Sequence, residues 1–153
     1  MIVQTQGVLS MHTFSLEQAA TIVDAALHMA RRTACAPMTV AVLDAGGHLV
    51  AFKREDQSSI LRPQIAQAKA WGVLGMGAGG RMLAQRASTA PAFFAALTDI
   101  SQGRIVPVAG GVLIRDSEGR AIGAVGVSGD QPEKDEACAV FGIEGAGLKA
   151  DVG

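Results

Sequence analysis

The chain has 153 residues and a formal net charge of -1 at pH 7, which suits one domain, residues 1–153, with a single hydrophobic core. Such a chain has no positive field to attract nucleic-acid phosphates or an anionic membrane surface. It also has no tyrosine, one tryptophan and five phenylalanines, so it offers few aromatic faces for stacked bases. We therefore expect neither a nucleic-acid partner nor a membrane partner.

The cysteine count and the first residues favour a cytoplasmic location. Cys35 and Cys138 are too few for a disulfide framework, and they lack the C-x-x-C spacing of zinc or redox sites. The first twelve residues contain no basic segment followed by an apolar core, so we expect no secretory signal. No charge-free apolar span is long enough to cross a bilayer. Residues 1–14 are expected to form an N-terminal arm or a short strand.

The first element predicted after this arm is an amphipathic helix. Ser15 and Gln18 have the spacing of a capping box, in which two side chains satisfy the free amides of a helix start. Apolar residues then recur at alternating spacings of three and four, which places them on one helical face. We expect this helix to run to about Cys35, because Pro37 helps to end it.

Two segments predict β-hairpins. They read M-T-V-A-V-L-D-A-G-G-H-L-V-A-F-K-R (residues 38–54) and G-G-V-L-I-R-D-S-E-G-R-A-I-G-A-V-G-V-S-G-D (residues 110–130). Each has a β-favouring run, an Asp, a glycine-bearing turn and a second β-favouring run. Asp and Gly tolerate the positive φ angles of tight turns, so this pattern is a strong hairpin signal.

The remaining segments predict helices and one short extended piece. We expect a helix from Pro63 to about Met76, shorter helices within 81–102, and a final helix from Pro132 to Lys149. Residues 104–108 are expected to be extended, at a sheet edge because of their proline. The predicted fold is therefore α+β, with an antiparallel sheet built from two hairpins and helices packed against it.

Known catalytic and metal-binding motifs are missing. The segment Gly75 to Gly80 formally matches G-x-G-x-x-G, but it follows a helix rather than a strand, so we interpret it as a helix stop. There is no Walker A motif and no G-x-S-x-G motif. The histidines have no metal-binding spacing, and we predict no metal site.

Several polar residues are candidates for a site. Arg62 and Lys69 are two helical turns apart and could hold a small anion between them, or both could be solvated. His48 follows the first hairpin turn, where its ring could project to a ligand or an interface. Asp130 and Glu136 lie around the start of the last helix, where acids act as caps or, in a pocket, as acids or bases.

The sequence resembles the GlcG/HbpS family over roughly residues 15–150. The segments that carry the resemblance are V-A-V-L-D-A-G-G-H-L-V-A-F, I-A-Q-A-K-A, G-G-V-L-I-R-D with I-G-A-V-G-V-S-G-D, and D-E-A-C-A. This family includes haem-binding proteins and the C-terminal domain of PduO-type corrinoid adenosyltransferases. The resemblance implies an α+β domain in a profilin-like arrangement that assembles into homodimers or higher homo-oligomers. It also implies haem or tetrapyrrole binding.

The resemblance also selects positions. Those that match the family are Asp44, Gly46, Gly47, Lys69, Gly110, Gly111, Gly126, Ser128, Gly129, Asp135 and Glu136. The family usually ends its last strand with S-G-G, whereas this chain has Ser128-Gly-Asp130. A carboxylate there would oppose an anionic ligand unless Arg62 or Lys69 were paired with it.

Two functional hypotheses follow. The first is a cytoplasmic homo-oligomer that binds a small anionic molecule or a tetrapyrrole, with haem as the leading ligand. Its candidate ligand-binding residues are Asp44, Gly46, Gly47, His48, Arg62, Lys69, Gly110 and Gly111. The second is a cofactor-independent lyase, isomerase or hydrolase that acts on a small carboxylate or aromatic acid in a catabolic pathway. Its candidate catalytic residues are Lys69, Asp130 and Glu136.

Overall fold

Five helices and five strands follow one another in residues 14–153, the part of the chain that this computed structural model describes. They are α1 (Leu16–Arg32), β1 (Thr39–Asp44), β2 (Leu49–Arg54), α2 (Arg62–Met76), α3 (Gly80–Thr89), α4 (Pro91–Ile100), β3 (Gly111–Arg115), β4 (Ala121–Ser128), α5 (Pro132–Gly145) and β5 (Lys149–Asp151). The predicted N-terminal arm lies outside the described residues, apart from Phe14. No helix in the described range combines the length and apolar character needed to cross a membrane.

The strands form one antiparallel sheet in the order β2-β1-β4-β3-β5. Strands β1 and β2 form the first predicted hairpin, and β3 and β4 form the second. The two hairpins join through β1 and β4, where Asp44 is opposite Gly123 and Thr39 is opposite Ser128. The α+β prediction is confirmed.

Helices cover both faces of the sheet, because both faces of its central strands are apolar. Val40 and Val42 of β1 point towards α1 and α5, whereas Leu43 belongs to the apolar cluster under α2, α3 and α4. Alternate residues of a strand point to opposite faces, so one strand serves both cores. The result is a sheet between two helical layers.

Glycines in the strands let α2 lie directly on the sheet. A Cβ atom at Gly126 would come within 1.8 Å of the Ala66 carbonyl oxygen, and one at Gly111 within 2.5 Å of the Lys69 carbonyl oxygen. Real Cβ atoms do not approach other heavy atoms so closely. The close packing of α2 on the sheet therefore depends on these two glycines.

The first helix ends earlier than predicted. It stops at Arg32, and Ala34 takes a positive φ of 54°. The Cys35 N–H then donates to the Ala30 carbonyl at 3.0 Å, which is the six-to-one bond of a Schellman motif. The prediction of helix to Cys35 was wrong by three residues, because Ala34 takes the left-handed position that glycine usually fills.

The last helix is also shorter than predicted, and a strand follows it. It ends at Gly145, where Gly147 has a φ of 75° and the Leu148 N–H donates to the Ile143 carbonyl at 3.2 Å. This Schellman turn reverses the chain, so Lys149–Asp151 pairs with the outer side of β3 as β5. The predicted extension of the helix to Lys149 was wrong.

The predicted extended piece at residues 104–108 forms no strand. The segment follows α4 as a loop. Strand β5 occupies the edge beside β3, so this loop has no partner in the sheet. Pro107 also lacks the N–H that a ladder would need.

Candidate functional site

The first hairpin turn holds a histidine in a defined orientation. The Asp44 Oδ1 atom accepts backbone hydrogen bonds from Gly46 at 2.9 Å and from His48 at 3.0 Å. The same oxygen lies 3.1 Å from the His48 Nδ1 atom. This arrangement is an Asx turn, the local chemistry for which Asp is favoured in tight turns. The histidine ring is therefore tied to the turn through one of its two nitrogens.

The other ring nitrogen of His48 has no partner among the described residues. The His48 side chain is 79% exposed. Although burial opposes ionisation of Asp44, hydrogen bonds from the His48 and Gly46 backbone lower the pKa of Asp44 below its usual value. An ionised carboxylate on Nδ1 favours the tautomer whose Nε2 lone pair is free. A metal-binding histidine commonly has this outer-shell partner.

This histidine lines a cavity of about 430 Å³, which we call the hairpin cavity. Its lining residues are Phe14, Asp44, Ala45, Gly46, His48, Ala121 and Ile122. A second cavity of about 310 Å³ shares Phe14 and Ile122 with it and extends along the turn between β3 and β4, where Arg120 lines it. Cavities of this size lie within the usual range for small-molecule sites.

The predicted ligand residues fall into two groups. Asp44, Gly46 and His48 line the hairpin cavity, and Gly47 faces Trp71 on the opposite side of the same turn. The second group lies where α2 packs on the sheet, towards the far end of β4, and consists of Arg62 and Lys69 of α2 with Gly110 and Gly111 below them. The two groups lie about 10 Å apart along β4, because Gly123 of that strand is opposite Asp44 and Gly126 is opposite Gly111.

The second group surrounds a buried ion pair. The Lys69 Nζ atom lies 3.0 Å from Asp135 Oδ2 and 3.0 Å from the Val127 carbonyl oxygen. Gly110, with a φ of 106°, has no side chain to displace this ammonium group, since a Cβ there would lie 2.8 Å from Nζ. The Asp135 Oδ1 atom accepts a bond from the Asp130 backbone at 2.9 Å. These bonds tie α2, β4 and α5 together.

Burial dominates the electrostatics of this pair. Desolvation lowers the pKa of Lys69, although the charge and hydrogen bond of Asp135 oppose that shift. Desolvation likewise raises the pKa of Asp135, against the effect of Lys69. Shifts of this kind occur at catalytic centres and in structural ion pairs alike. Because Lys69 lines neither the hairpin cavity nor its neighbour, we interpret the pair as structural.

Arg62 lies on the same side of the sheet as Lys69, as their spacing predicts. Its Nη1 atom donates to Ser128 Oγ at 3.0 Å, next to the Val127 carbonyl that Lys69 contacts. Ser128 is fully buried and is opposite Thr39, whose hydroxyl is 2.8 Å from that of Ser58. Both cations are therefore bonded to β4, and neither is a simple solvated charge.

The structure does not bring the two predicted catalytic carboxylates to Lys69. Asp130 accepts bonds from the backbone of Ala36 and Gln131, each at 2.7 Å, so its side chain joins two loops. Glu136 is paired through Oε1 with Arg81, while its Oε2 is buried without a hydrogen-bond partner among the described residues. The acid at Lys69 is instead Asp135, which the sequence argument treated only as a position that matches the family.

Sequence reasoning also missed Trp71 and Arg104. The Arg104 guanidinium carbon lies 4.1 Å from the centre of the Trp71 ring. The sequence shows that Trp71 is the only tryptophan. It does not show the contact with Arg104, because Arg104 follows 33 residues later and lies in a loop rather than in α2. Within residues 14–153 there is no cluster of three His, Cys, Asp or Glu side chains that could hold a metal ion.

A comparison with protein families identifies the chain. A family model described as "haem degrading protein HbpS-like" matches residues 14–144, which is most of the sequence. The chain belongs to this HbpS-like family. The GlcG/HbpS resemblance is thereby confirmed. A search of curated proteins gave no significant match.

Solved structures support the fold of this HbpS-like chain. A complex of PduOC with haem has a TM-score of 0.80 at 24% identity, covering 89% of this chain and 96% of that chain. Klebsiella pneumoniae ORFY also has a TM-score of 0.80 at 24% identity, with 96% and 97% covered. A double mutant of HbpS from Streptomyces reticuli has a TM-score of 0.76 at 26% identity, with 94% and 95% covered.

Proposed function

We propose that this HbpS-like protein binds haem or a related tetrapyrrole in the hairpin cavity, with His48 as the ligand to the iron. The single observation that carries the proposal is the Asp44–His48 pair, which holds Nδ1 at 3.1 Å and leaves Nε2 free at the cavity. The family description and the haem complex of PduOC are consistent with this ligand.

The residues of the hairpin cavity fit a haem group. Phe14, Ala45, Ala121 and Ile122 provide an apolar wall beside the histidine. His48 would hold the haem iron through its neutral imidazole, and the bound haem would supply redox chemistry at this cavity. The Asp44 carboxylate would keep the imidazole in one orientation, with its Nε2 atom free. Among the described residues, the other histidine is His28, an exposed residue on α1.

A haemin titration tests the proposal. Wild-type protein should give a saturable Soret shift, and His48→Ala should weaken binding at least tenfold. His28→Ala is the matched control and should bind as wild type does. Asp44→Asn keeps an oxygen for the turn amides but removes the charge on Nδ1, so it should weaken binding about tenfold or more. Unchanged binding by His48→Ala would reject this site.

We propose further that the protein forms a homo-oligomer through the β2 edge. Strand β2 is the last strand of the sheet, so one row of its backbone groups has no neighbouring strand within residues 14–153. Phe52 is 37% exposed, and the following loop exposes Ile60 and Leu61 by 86% and 61%. An open edge beside exposed apolar side chains suits a second copy of the same strand.

Sedimentation velocity tests this assembly. Wild-type protein should sediment as a dimer or larger species, and Phe52→Lys with Leu61→Lys should shift it towards monomer. Ile100→Lys changes an exposed apolar side chain at the end of α4, away from β2, and should leave the assembly unchanged. A monomeric wild type would contradict the proposal.

A cytoplasmic location completes the proposal. Cys35 and Cys138 are both free, although they lie in the same apolar cluster. Free thiols in one core suit a reducing compartment. Fractionation of cells that express the tagged full chain would test the location, and recovery outside the cytoplasm would contradict it.

The enzymatic hypothesis is our second candidate. It is favoured by one observation, the buried Lys69–Asp135 pair. Desolvation lowers the pKa of Lys69 and raises the pKa of Asp135, which favours the neutral form of each group. The test is turnover of small carboxylic acids by metal-free protein, with Lys69→Arg as the variant that keeps the charge. Turnover that Lys69→Arg abolishes without unfolding the protein would favour this candidate over a purely structural pair.

A further inference from the structure

We propose that another cavity, which lies on the other side of the first hairpin turn from the hairpin cavity, binds a small planar carboxylate such as an aromatic acid. We call it the tryptophan cavity. It has a volume of about 340 Å³ and is lined by Leu43, Gly47, Leu49, Gln64, Gln67, Ala68, Trp71, Gln102, Gly103 and Arg104. This proposal does not depend on haem binding, because the hairpin cavity uses different residues.

Within the part of the chain that the structure describes, the only charged side chain lining this cavity is a cation. Arg104 is present, and no carboxylate is among the lining residues. Among the described residues, the Nη atoms of Arg104 form no hydrogen bond or ion pair. A guanidinium group presents its donors in a planar fork that matches a carboxylate, so a free one at a cavity wall favours that ligand group.

Two contacts hold the Arg104 side chain in place before any ligand arrives. Its Nε atom donates to the Ser101 carbonyl at 2.9 Å, and its guanidinium carbon lies 4.1 Å from the centre of the Trp71 ring. The loop that carries it contains Gln102 at a positive φ of 56°, a conformation that costs energy for a residue with a side chain. A fixed guanidinium loses less entropy on binding than a free one.

The rest of the cavity wall combines apolar, aromatic and amide side chains. Leu43, Leu49 and Ala68 are apolar, and Trp71 adds an aromatic side chain, so a flat hydrocarbon body fits between them. Gln64 and Gln67 add amide groups, of which the Gln67 amide already donates to the Pro63 carbonyl at 3.3 Å. The volume is at the lower end of the range for small-molecule sites, which suits a single ring.

Glycine at position 47 keeps this cavity in shape. A Cβ there would lie 3.0 Å from the Trp71 Nε1 atom, and the residue has a φ of 81°. The turn can therefore approach the indole ring only without a side chain. The same turn holds Asp44 and His48 in the hairpin cavity, so two separate sites share one structural element.

Fluorescence gives a direct test, because Trp71 is the only tryptophan in the chain. Titration of the full-length protein with benzoate should change the emission saturably, whereas the neutral isostere benzamide should not. Arg104→Met keeps an apolar stem against the ring and should weaken benzoate binding at least tenfold. Arg104→Lys keeps the positive charge without the planar guanidinium group. It should bind benzoate more weakly than wild type and more tightly than Arg104→Met. Arg86→Met, which removes an exposed cation outside the cavity lining, is the matched control and should bind as wild type does.

The outcomes separate this proposal from haem binding. His48→Ala should retain benzoate binding, and Arg104→Met should retain the haemin Soret shift. Calorimetry provides a readout that does not depend on the tryptophan. A benzoate response that is non-saturable, that benzamide reproduces, or that survives Arg104→Met would overturn the assignment.

Discussion

The Lys69–Asp135 ion pair provides the sharpest test of how the helical layer is attached to the sheet. The side chains are 4% and 1% exposed, and their charged atoms are 3.0 Å apart. Lys69→Met keeps most of the apolar stem but removes the ammonium group. The Asp135 carboxylate then stays buried without its cation, and the Val127 carbonyl loses a donor.

The expected cost of this change is large. Breaking a buried ion pair by removing one partner destabilises a protein by about 3–5 kcal/mol. In a chain of this size, each kcal/mol lowers the melting temperature by about 2–4 °C, so Lys69→Met should melt roughly 6–20 °C below wild type. The matched control is Lys134→Met, since the Lys134–Asp130 contact is exposed and 3.5 Å long. It should cost about 0–1 kcal/mol.

The double variant Lys69→Met with Asp135→Leu isolates the interaction free energy between the two side chains. Removing both charges abolishes the desolvation penalty, although the Asp130 backbone N–H loses its acceptor. We expect the double variant to lie within about 2 kcal/mol of wild type and above Lys69→Met. Urea unfolding followed by circular dichroism measures Lys69→Met, Asp135→Leu and the double variant. A double variant whose loss equals the sum of the single losses would refute the coupling.

The pH dependence has a definite sign. Burial raises the pKa of Asp135, so the native state takes up a proton more readily than the unfolded chain. Stability from this group therefore increases as the pH falls through the folded pKa towards the ordinary value. Without its cation, Asp135 in Lys69→Met should show a larger increase than wild type. A variant whose stability falls over the same range would contradict the argument.

Three further experiments test other parts of the molecule. Gly126→Ala should cost more than about 4 kcal/mol, because its Cβ would lie 1.8 Å from the Ala66 carbonyl oxygen; Gly119→Ala, at a φ of 80° in open space, should cost about 1–2 kcal/mol. Equal losses in thermal melts would contradict this packing. Backbone N–H donors lower the pKa of Asp130, so its contribution to stability is complete above the ordinary value and is lost as the pH falls through the folded pKa. Asp130→Asn should therefore flatten the acid limb of a stability profile, and an unchanged limb would refute the role. Burial beside another thiol raises the pKa of Cys138 to about 12, so iodoacetamide should modify it only after unfolding, as mass spectrometry would show. Rapid modification of the native protein would be inconsistent with that environment.

Local chemistry explains which elements were predictable. The capping box at Ser15 forms as expected, with the Gln18 N–H donating to the serine hydroxyl at 3.1 Å. The Asp44 turn follows the Asp and Gly pattern of the first hairpin. In both cases the interacting atoms lie within a few residues, so the residue types alone indicate the geometry. The ends of α1 and α5 depended on which residue takes the left-handed position after the helix, here Ala34 and Gly147, and the spacing of apolar residues did not resolve this.

The candidate sites also differ in how far apart their interacting residues lie in the sequence. The Asp44–His48 pair is local, and the sequence by itself placed both residues at one turn. Lys69 and Asp135 are 66 residues apart, and the Arg104–Trp71 contact joins a loop to α2. These contacts depend on how α2 packs against the sheet and the neighbouring loop. The sequence does not show which distant residue will lie beside a charged or aromatic side chain in the folded protein. The sequence therefore determined the hairpins and the family, whereas the tertiary structure decided which candidate residues are buried supports and which line cavities.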